Sequence, residues 1–289
     1  MKRFVMPVCQ VVLGGFLLGL LIMPQFAQAG QRITVPVCAA MSLKDAMMAL
    51  KSIYEARHPD VLLEINFASS GALQKQIEQG APAELFLSAG QKQMDALADQ
   101  HLIVKDSRCD LLGNTLVLIV AKEKHQQIKG FDDLVQNASN FAIGHPESVP
   151  AGRYGKQTLA TLGLWGQLEN RMILAKNVRA VLAYVDSGNA DAGLVYRTDT
   201  LTLQSAVVAA SAPEHSHSPI IYPAALVANG KHPEQARAFL AFMKSAEAGE
   251  IFARYRFIPL NTQPQPGNQV KDCGVRTWTE IAMRSDKTR

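Results

Sequence analysis

From Ile33 onward, short apolar runs alternate with segments that carry apolar residues at the spacing of a helix. The connections between them are short, and this alternation predicts sheets covered by helices on both faces. Because two successive sets of such units are present, we predict an α/β fold of two lobes, between which the chain crosses more than once. We place residues 30–112 and 220–260 in the first lobe, residues 113–219 in the second, and residues 261–289 in a C-terminal extension.

The first 29 residues have the layout of a cleavable secretory signal peptide. Lys2 and Arg3 precede a long apolar run, and Ala27-Gln28-Ala29 has the small-residue pattern of a cleavage site. The alternative is a retained membrane anchor, because Phe4–Met23 is near the length of a spanning helix. The cleavage pattern favours removal, so we expect an exported mature protein.

The charge balance of the expected mature protein is close to neutral. The predicted signal peptide (residues 1–29) holds two of the 29 basic residues and none of the 25 acidic ones, which leaves 27 against 25. No run of like charges is present, so the sequence predicts neither a nucleic-acid-binding face nor a polybasic membrane patch. We expect a monomer without a nucleic-acid partner.

Three cysteines follow the predicted signal peptide: Cys38, Cys109 and Cys273. Cys38 lies in an apolar strand run and is predicted to be a buried thiol. In an oxidising compartment the other two could pair, so we predict a disulfide between Cys109 and Cys273. This bond would tie the C-terminal extension to the middle of the chain.

Four junctions share one design, in which a strand end is followed by small residues and then by a helix start. They are Ala40-Met41-Ser42, Ala68-Ser69-Ser70, Val149-Pro150-Ala151-Gly152 and Lys176-Asn177-Val178. The first turn of a helix has backbone N–H groups without partners inside the helix, and its positive dipole end attracts anions. In parallel α/β sheets such junctions lie at the carboxyl ends of the strands, where ligands bind. We therefore predict a cleft for an anion with several oxygens and no proton to donate.

Further polar residues lie close to these junctions. Tyr196 ends an apolar strand and could add a phenol donor to the cleft; otherwise it would be half-buried with its hydroxyl in water. Arg153 and Arg179 could reach the ligand, or could be solvated residues of a first helical turn. Ser42 and Asp45 have the spacing of a capping box at the start of a helix.

An enzyme is the main alternative class of protein. Ser42 or Ser70 could act as a nucleophile only with a base in reach, and neither lies in a G-x-S-x-G elbow. The sequence has no G-x-G-x-x-G fingerprint, Walker loop or C-x-x-C pair. One stretch, Glu214-His215-Ser216-His217, resembles a metal cluster, but it lies in a loop rich in Ser and Pro. We expect a binding protein that is not an enzyme, holds no bare metal ion and needs no cofactor.

Five stretches carry a resemblance to a known family: AAMSLKDAM, FASSGALQKQIEQGAPAELFLSA, GHPESVPAGRYGKQTL, NVRAVLAYVDSGNADAGLVY and IFARYRF. In their order and spacing, the chain resembles the periplasmic molybdate-binding proteins, the receptors of molybdate ABC importers. The resemblance covers residues 32–258. It implies a two-lobed periplasmic binding protein fold of type II, in which each lobe is a mixed sheet flanked by helices and the ligand cleft lies between the lobes.

The resemblance also implies the ligand, molybdate or tungstate, and its contacts. These contacts are a hydroxyl and a backbone N–H from each of two serines, a backbone N–H from two further residues, and one tyrosine hydroxyl. They fall on Ser42 and Ser70, on Ala151 and Val178, and on Tyr196. The receptor would work in the periplasm and deliver the oxyanion to the membrane permease of an ABC importer.

Other interpretations stay open from the sequence. A receptor of the same fold could bind sulfate or another tetrahedral oxyanion, since the sequence does not give the size of the cavity. A secreted serine hydrolase that uses Ser42 or Ser70, and an envelope adaptor whose tail binds a partner, are alternatives of other classes. Two departures from the family pattern, Met41 and Arg197, could narrow or charge the rim of the cleft.

Overall fold

The computed structural model describes residues 32–260 of the chain. The predicted signal peptide (residues 1–29), the C-terminal extension (residues 261–289) and Cys273 lie outside the described residues. The signal peptide and the disulfide between Cys109 and Cys273 therefore stay predictions. Between residues 32 and 260, no helix is long and apolar enough to cross a membrane.

The strands of the described chain form two mixed sheets. In chain order they are β1 (Ile33–Ala40), β2 (Val61–Ala68), β3 (Leu85–Leu87), β4 (Cys109–Gly113), β5 (Leu116–Val120), β6 (Phe141–Gly144), β7 (Met172–Ala175), β8 (Ala192–Tyr196), β9 (Val207–Ser211), β10 (Ile221–Leu226) and β11 (Ile258–Pro259). The first sheet has the order β11-β4-β10-β3-β1-β2, and the second has the order β7-β6-β8-β5-β9. β1 is parallel to β2 and β3, and β6 to β7 and β8, whereas β10, β11, β5 and β9 make antiparallel pairs.

Helices connect the strands in both sheets. They are α1 (Lys44–Arg57), α2 (Ser70–Glu78), α3 (Gln91–Asp99), α4 (Leu134–Asn137), α5 (Pro150–Thr161), α6 (Trp165–Leu168), α7 (Val178–Asp186), α8 (Pro233–Met243) and α9 (Ala246–Arg254). Three α-helix starts have side-chain caps. The Ser69 oxygen accepts the Ala72 N–H at 3.4 Å, the Asn177 oxygen accepts the Ala180 N–H at 3.0 Å, and the Ser245 oxygen accepts the Ala248 N–H at 3.2 Å. Pro150 is the first residue of α5, where a missing N–H costs no helical hydrogen bond.

The predicted α/β fold of two lobes, each with a mixed sheet flanked by helices, is confirmed. We call the six-stranded sheet with its helices the first lobe and the five-stranded sheet with its helices the second lobe. The lobe boundaries at residues 112/113 and 219/220 stay a proposal. The cores are built mainly from strand residues; all five residues of β5, for example, are buried, as expected for a strand covered on both faces.

The strand register decides where the junctions lie. β1 and β2 pair in parallel up to Ala40 and Ala68, so the junctions that contain Ser42 and Ser70 leave the first sheet side by side. β6 and β7 pair in parallel up to Gly144 and Ala175, which brings the starts of α5 and α7 next to each other in the second lobe. Each sheet therefore presents two neighbouring helix starts at the carboxyl ends of its parallel strands.

Two details of the sequence analysis need correction. The strands β4, β7 and β11 were not predicted, because each gains its hydrogen bonds from strands that are distant in the sequence. The predicted capping box is wrong: Ser42 lies in a 3-10 turn, Met41–Leu43, and its hydroxyl bonds Tyr222, while the Asp45 carboxylate binds Arg179. By contrast, Cys38 is a buried thiol, as predicted.

Candidate functional site

The helix starts of both lobes meet around one small cavity, with a volume of about 10 Å³. All five residues that the sequence analysis expects to contact the ligand line this cavity. The lining residues are Ala40, Met41, Ser42, Ser69, Ser70, Ala89, Val149, Pro150, Ala151, Asn177, Val178 and Tyr196. None of these described residues has a charged side chain, so the polar groups of the cavity are hydroxyls, one amide and backbone groups.

Ser70 is the first residue of α2, directly after the capping residue Ser69. Its side chain is fully buried, and its oxygen accepts the Ala89 N–H at 2.9 Å. Ser69 satisfies one first-turn N–H of the helix, whereas the Ser70 hydroxyl keeps its own proton for another acceptor. Ser70 therefore offers both a hydroxyl and a first-turn N–H to the cavity.

Ser42 reaches the cavity from the turn after β1. It is buried, and its oxygen lies 2.9 Å from the hydroxyl of Tyr222 on β10. Tyr222 in turn accepts a hydrogen bond from the Asn114 amide at 3.0 Å. The Ser42 hydroxyl is therefore held by a residue 180 positions away in the chain.

The second lobe contributes backbone donors from two helix starts. Ala151 is the second residue of α5, and since Pro150 has no N–H, Ala151 supplies the first N–H of that helix. Val178 is the first residue of α7, directly after its cap Asn177. Both alanine and valine bring only a backbone donor to the cavity, because their side chains cannot form hydrogen bonds.

Tyr196 ends β8 and lies 1% exposed, so the alternative of a half-buried tyrosine with its hydroxyl in water is wrong. Its hydroxyl donates to the Ala89 carbonyl at 3.4 Å, a long hydrogen bond across the two lobes. Burial raises the pKa values of Tyr196 and Tyr222 well above the usual range of a phenol. Both hydroxyls therefore keep their protons at neutral pH and can act as donors.

Arg179 does not line the cavity. Its guanidinium binds the Asp45 carboxylate of α1 in the other lobe and the Thr202 hydroxyl, and its Nε lies 2.8 Å from Oδ1 of the buried Asp199. Burial raises the pKa of Asp199 to about 6, and the positive charge of Arg179 opposes this rise. Arg179 therefore links the lobes by ion pairs and leaves the cavity uncharged.

The other charged residues near the junctions also point elsewhere. Arg153 lies over the ring of Tyr154 and contacts Gln93 at 3.4 Å. Glu147 is exposed and lies 3.5 Å from Lys92. None of these residues contributes to the cavity lining.

The two departures from the family pattern have different positions. Met41 is part of the cavity lining. Arg197 is exposed and donates to the Ser211 hydroxyl at 2.9 Å, so its charge lies against β9 rather than in the cavity. Of the two, only Met41 can affect the shape of the cavity by contact.

The lobes also touch beside the cavity. The Gly71 N–H donates to the Ser148 carbonyl of the other lobe at 2.9 Å. A Cβ atom on Gly71 would lie 2.6 Å from that oxygen, closer than any stable contact. Glycine at this position therefore allows the two backbones to approach.

Sequence reasoning missed three residues that support the site: Ala89, Tyr222 and Asn114. Ala89 follows the end of β3 and bonds both Ser70 and Tyr196, but it starts no capped helix and so had no junction signature. Tyr222 and Asn114 lie where the chain crosses between the sheets. Their position at these crossings was the only feature of the sequence that could have marked them as part of the site. The Glu214-His215-Ser216-His217 stretch forms no metal cluster within the described residues, and the Glu214 and His215 side chains are exposed.

Comparison with known proteins shows the family of the chain. A family model of bacterial extracellular solute-binding proteins matches residues 35–258. The chain belongs to this family. It is 38% identical over 241 residues to the molybdate-binding protein ModA of Escherichia coli (strain K12), covering 80% of this chain and 93% of ModA. The resemblance inferred from the sequence is thereby confirmed.

Two further relatives extend the comparison. The chain is 40% identical over 227 residues to YvgL of Bacillus subtilis (strain 168), described as an ABC transporter substrate-binding lipoprotein, covering 78% of this chain and 87% of YvgL. A solved structure from Clostridium difficile, described as the substrate-binding domain of a molybdenum ABC transporter, is 39% identical with a TM-score of 0.62. That match covers 79% of this chain and 99% of the solved one. These relatives are solute-binding components of transporters, and their family is one of receptors rather than enzymes.

Proposed function

We propose that this protein is an extracytoplasmic receptor that binds molybdate, and also tungstate, and delivers the ion to the permease of an ABC importer without a chemical step. The observation that carries the proposal is the cavity in which neutral donors of both lobes meet. The proposed ligand contacts are the hydroxyl and N–H groups of Ser42 and Ser70, the N–H groups of Ala151 and Val178, and the hydroxyl of Tyr196.

Neutral donors can hold a doubly charged oxyanion tightly when water is excluded. Hydrogen bonds to a charged acceptor are short and strengthen in a low-dielectric site. Each contributes on the order of 1.5–3 kcal/mol. Because several first-turn N–H groups converge, their helix dipoles add a favourable potential without any cationic side chain.

The donor set favours an ion that carries no proton. A protonated oxyanion such as hydrogen phosphate needs an acceptor, and the nearby carboxylates of Asp45 and Glu147 bind Arg179 and Lys92 instead of lining the cavity. Sulfate offers the same charge and shape as molybdate and differs in size, so hydrogen bonding alone does not separate the two. The names of the relatives favour molybdate.

The proposed location follows from the predicted signal peptide and the family. We infer export of residues 30–289 to the periplasm, where the closed receptor would dock on a membrane permease. The protein would act as a monomer, with no cofactor and with molybdenum present only as its oxyanion.

Calorimetric titration of the purified protein with molybdate, tungstate, sulfate and phosphate tests the proposal. We expect tight one-to-one binding of molybdate and tungstate, weaker binding of sulfate and no measurable binding of phosphate. Sulfate binding as tight as molybdate binding would replace the proposed ligand, and labelling of Ser42 or Ser70 by a serine-reactive phosphonate would favour the hydrolase alternative.

A further inference from the structure

We propose that Tyr222 and Asn114 are positioning residues that fix the direction of the Ser42 hydroxyl, so that its proton points at the bound oxyanion. This inference rests on the proposed function, because it explains how one of the proposed ligand contacts becomes a donor. Neither residue lines the cavity, and both act through Ser42.

The orientation of the Asn114 amide is set by the backbone. Its Oδ1 accepts the Thr115 N–H at 2.8 Å, which places the oxygen on that side of the amide. Its Nδ2 therefore faces the hydroxyls of Tyr222 and Thr198, each at 3.0 Å. An amide nitrogen only donates, so both hydroxyl oxygens must accept from it.

The fixed amide donor of Asn114 determines the direction of the hydrogen bond between Tyr222 and Ser42. The Tyr222 oxygen accepts from Asn114, and its single proton is free to be donated to the Ser42 oxygen, 2.9 Å away. The phenol keeps this proton because its hydroxyl is buried. Ser42 then accepts on the protein side, and its own proton remains for the cavity.

Ser70 has an equivalent arrangement made from backbone. Its oxygen accepts the Ala89 N–H, a group that cannot reverse its role, and its proton is also left for the cavity. Both serines therefore become donors by accepting a hydrogen bond from a group that must donate. A serine without such a partner can rotate and present a lone pair, which would repel an oxyanion and accept a proton from a protonated one.

The chain of hydrogen bonds also spans the two lobes. Asn114 lies between β4 of the first sheet and β5 of the second, and Thr198 follows β8 in the second lobe. Tyr222 lies on β10 of the first sheet. The direction of the Ser42 hydroxyl is therefore set by residues at the crossing between the lobes, rather than by the junction that carries Ser42.

A double-mutant cycle with Tyr222→Phe and Ser42→Ala tests the proposed coupling. Phenylalanine keeps the ring contacts with Tyr196 and Phe257, so the fold is retained. We expect Tyr222→Phe to weaken molybdate binding at least about threefold in the wild-type background and less than about twofold in the Ser42→Ala background. Equal effects in the two backgrounds, or no effect in either, would overturn the proposal.

Tyr54→Phe is the matched control for the cycle. Tyr54 is also a buried tyrosine, but it packs against Phe239 and Phe242 and lies outside the cavity lining. Removing its hydroxyl should leave molybdate binding unchanged. A loss equal to that of Tyr222→Phe would show a general structural effect and would overturn the assignment to Tyr222.

A second variant, Asn114→Asp, tests the direction of the chain. A carboxylate accepts but does not donate, so it would take the Tyr222 proton and leave Ser42 to donate to Tyr222. The Ser42 lone pair would then face the cavity. We expect molybdate affinity to fall at least about tenfold, and the ratio of phosphate to molybdate affinity to rise, because phosphate carries a proton for that lone pair.

Failure of this inference can be told apart from failure of the proposed function. A wild-type protein that binds molybdate, together with an Asn114→Asp variant of unchanged ligand preference, would overturn the inference alone. A wild-type protein that binds none of molybdate, tungstate, sulfate and phosphate would overturn the proposed function and the inference with it. Thermal melting of each variant without ligand verifies that it is folded.

Discussion

At the scale of single residues, the site depends on serine hydroxyls whose oxygens already accept a hydrogen bond from another group of the protein. The Ser70 oxygen accepts the Ala89 N–H at 2.9 Å and its side chain is fully buried, so its proton remains for a ligand in the cavity. We predict that Ser70→Ala weakens molybdate binding about tenfold or more, because one charge-assisted hydrogen bond is lost. Calorimetry measures this change, and unchanged affinity would remove Ser70 from the site.

Ser245→Ala provides a control for the loss of a half-buried serine at another helix start. The Ser245 oxygen caps α9 by accepting the Ala248 N–H at 3.2 Å, and Ser245 does not line the cavity. This variant should lose about 1 kcal/mol of folding stability and bind molybdate normally.

Asp199 predicts a pH dependence of folding stability. Burial raises its pKa in the folded state to about 6, from 3.8 when it is unperturbed, so the folded state binds a proton more readily than the unfolded chain. The stability from this proton is fully present below pH 3.8 and is lost as the pH rises through about 6. Lowering the pH from about 7.5 to about 5 should stabilise the wild type by about 1 kcal/mol relative to Asp199→Asn.

Urea denaturation of both proteins at the two pH values measures this difference. The Asn variant has no proton to gain at this position, so it corrects for every other group that titrates in the same range. A difference in the free energy of unfolding that stays constant between the two pH values would mean that Asp199 titrates alike in the folded and unfolded chains.

At the scale of elements, closure depends on how closely two helix starts can approach. Gly71 is the second residue of α2, where alanine would favour the helix, but its Cβ would lie 2.6 Å from the Ser148 carbonyl of the other lobe. We predict that Gly71→Ala keeps or raises folding stability and weakens molybdate binding about fivefold to a hundredfold. Thermal melting without ligand and calorimetry with ligand separate the two effects.

Gly166→Ala is the matched control for this substitution. Gly166 also lies in a helix, α6, but an added Cβ would meet no atom within 4 Å. Its molybdate affinity should equal that of the wild type. Equal losses in both glycine variants would mean that the lobes do not need the close approach at Gly71.

At the scale of the whole molecule, the proposed ligand is an anion, but the side chains that line the cavity are uncharged. The half-buried Arg179 is bound to Asp45 and Asp199 and does not line the cavity, so ions in solution have no cationic side chain of the cavity lining to screen. We predict that molybdate affinity changes less than about threefold between about 0.05 and 0.5 M sodium chloride. A tenfold fall, measured by calorimetry at both salt concentrations, would mean that a cationic side chain contacts the ligand.

The matched family region ends at residue 258, close to the last described strand. We propose that residues 261–289 form an extension that is not needed for ligand binding. Deletion of these residues should leave molybdate affinity unchanged within about twofold, because the cavity is lined by residues 40–196 alone. Loss of binding in the deletion variant would favour a role of the extension in holding the lobes together.

The sequence by itself determined the features that depend on neighbouring residues. The alternation of strand and helix patterns predicted an α/β fold, and the caps at Ser69 and Asn177 marked two of the four helix starts around the cavity. These features follow from the periods of helix and strand and from the unpaired N–H groups of a first turn, all of which are local. The resemblance to a known family then pointed to Ser42, Ser70 and the other selected residues.

Only the tertiary structure decided which groups meet and which already have a hydrogen-bond or ion-pair partner within the protein. Arg179 lies beside a junction in the sequence, but the folded chain directs it to Asp45 and Asp199. Ser42 was placed by its junction, but its hydroxyl is directed by Tyr222, which follows 180 residues later. The physical reason is that sheet order and lobe contact bring distant segments together, and hydrogen-bond direction depends on those distant partners rather than on local spacing.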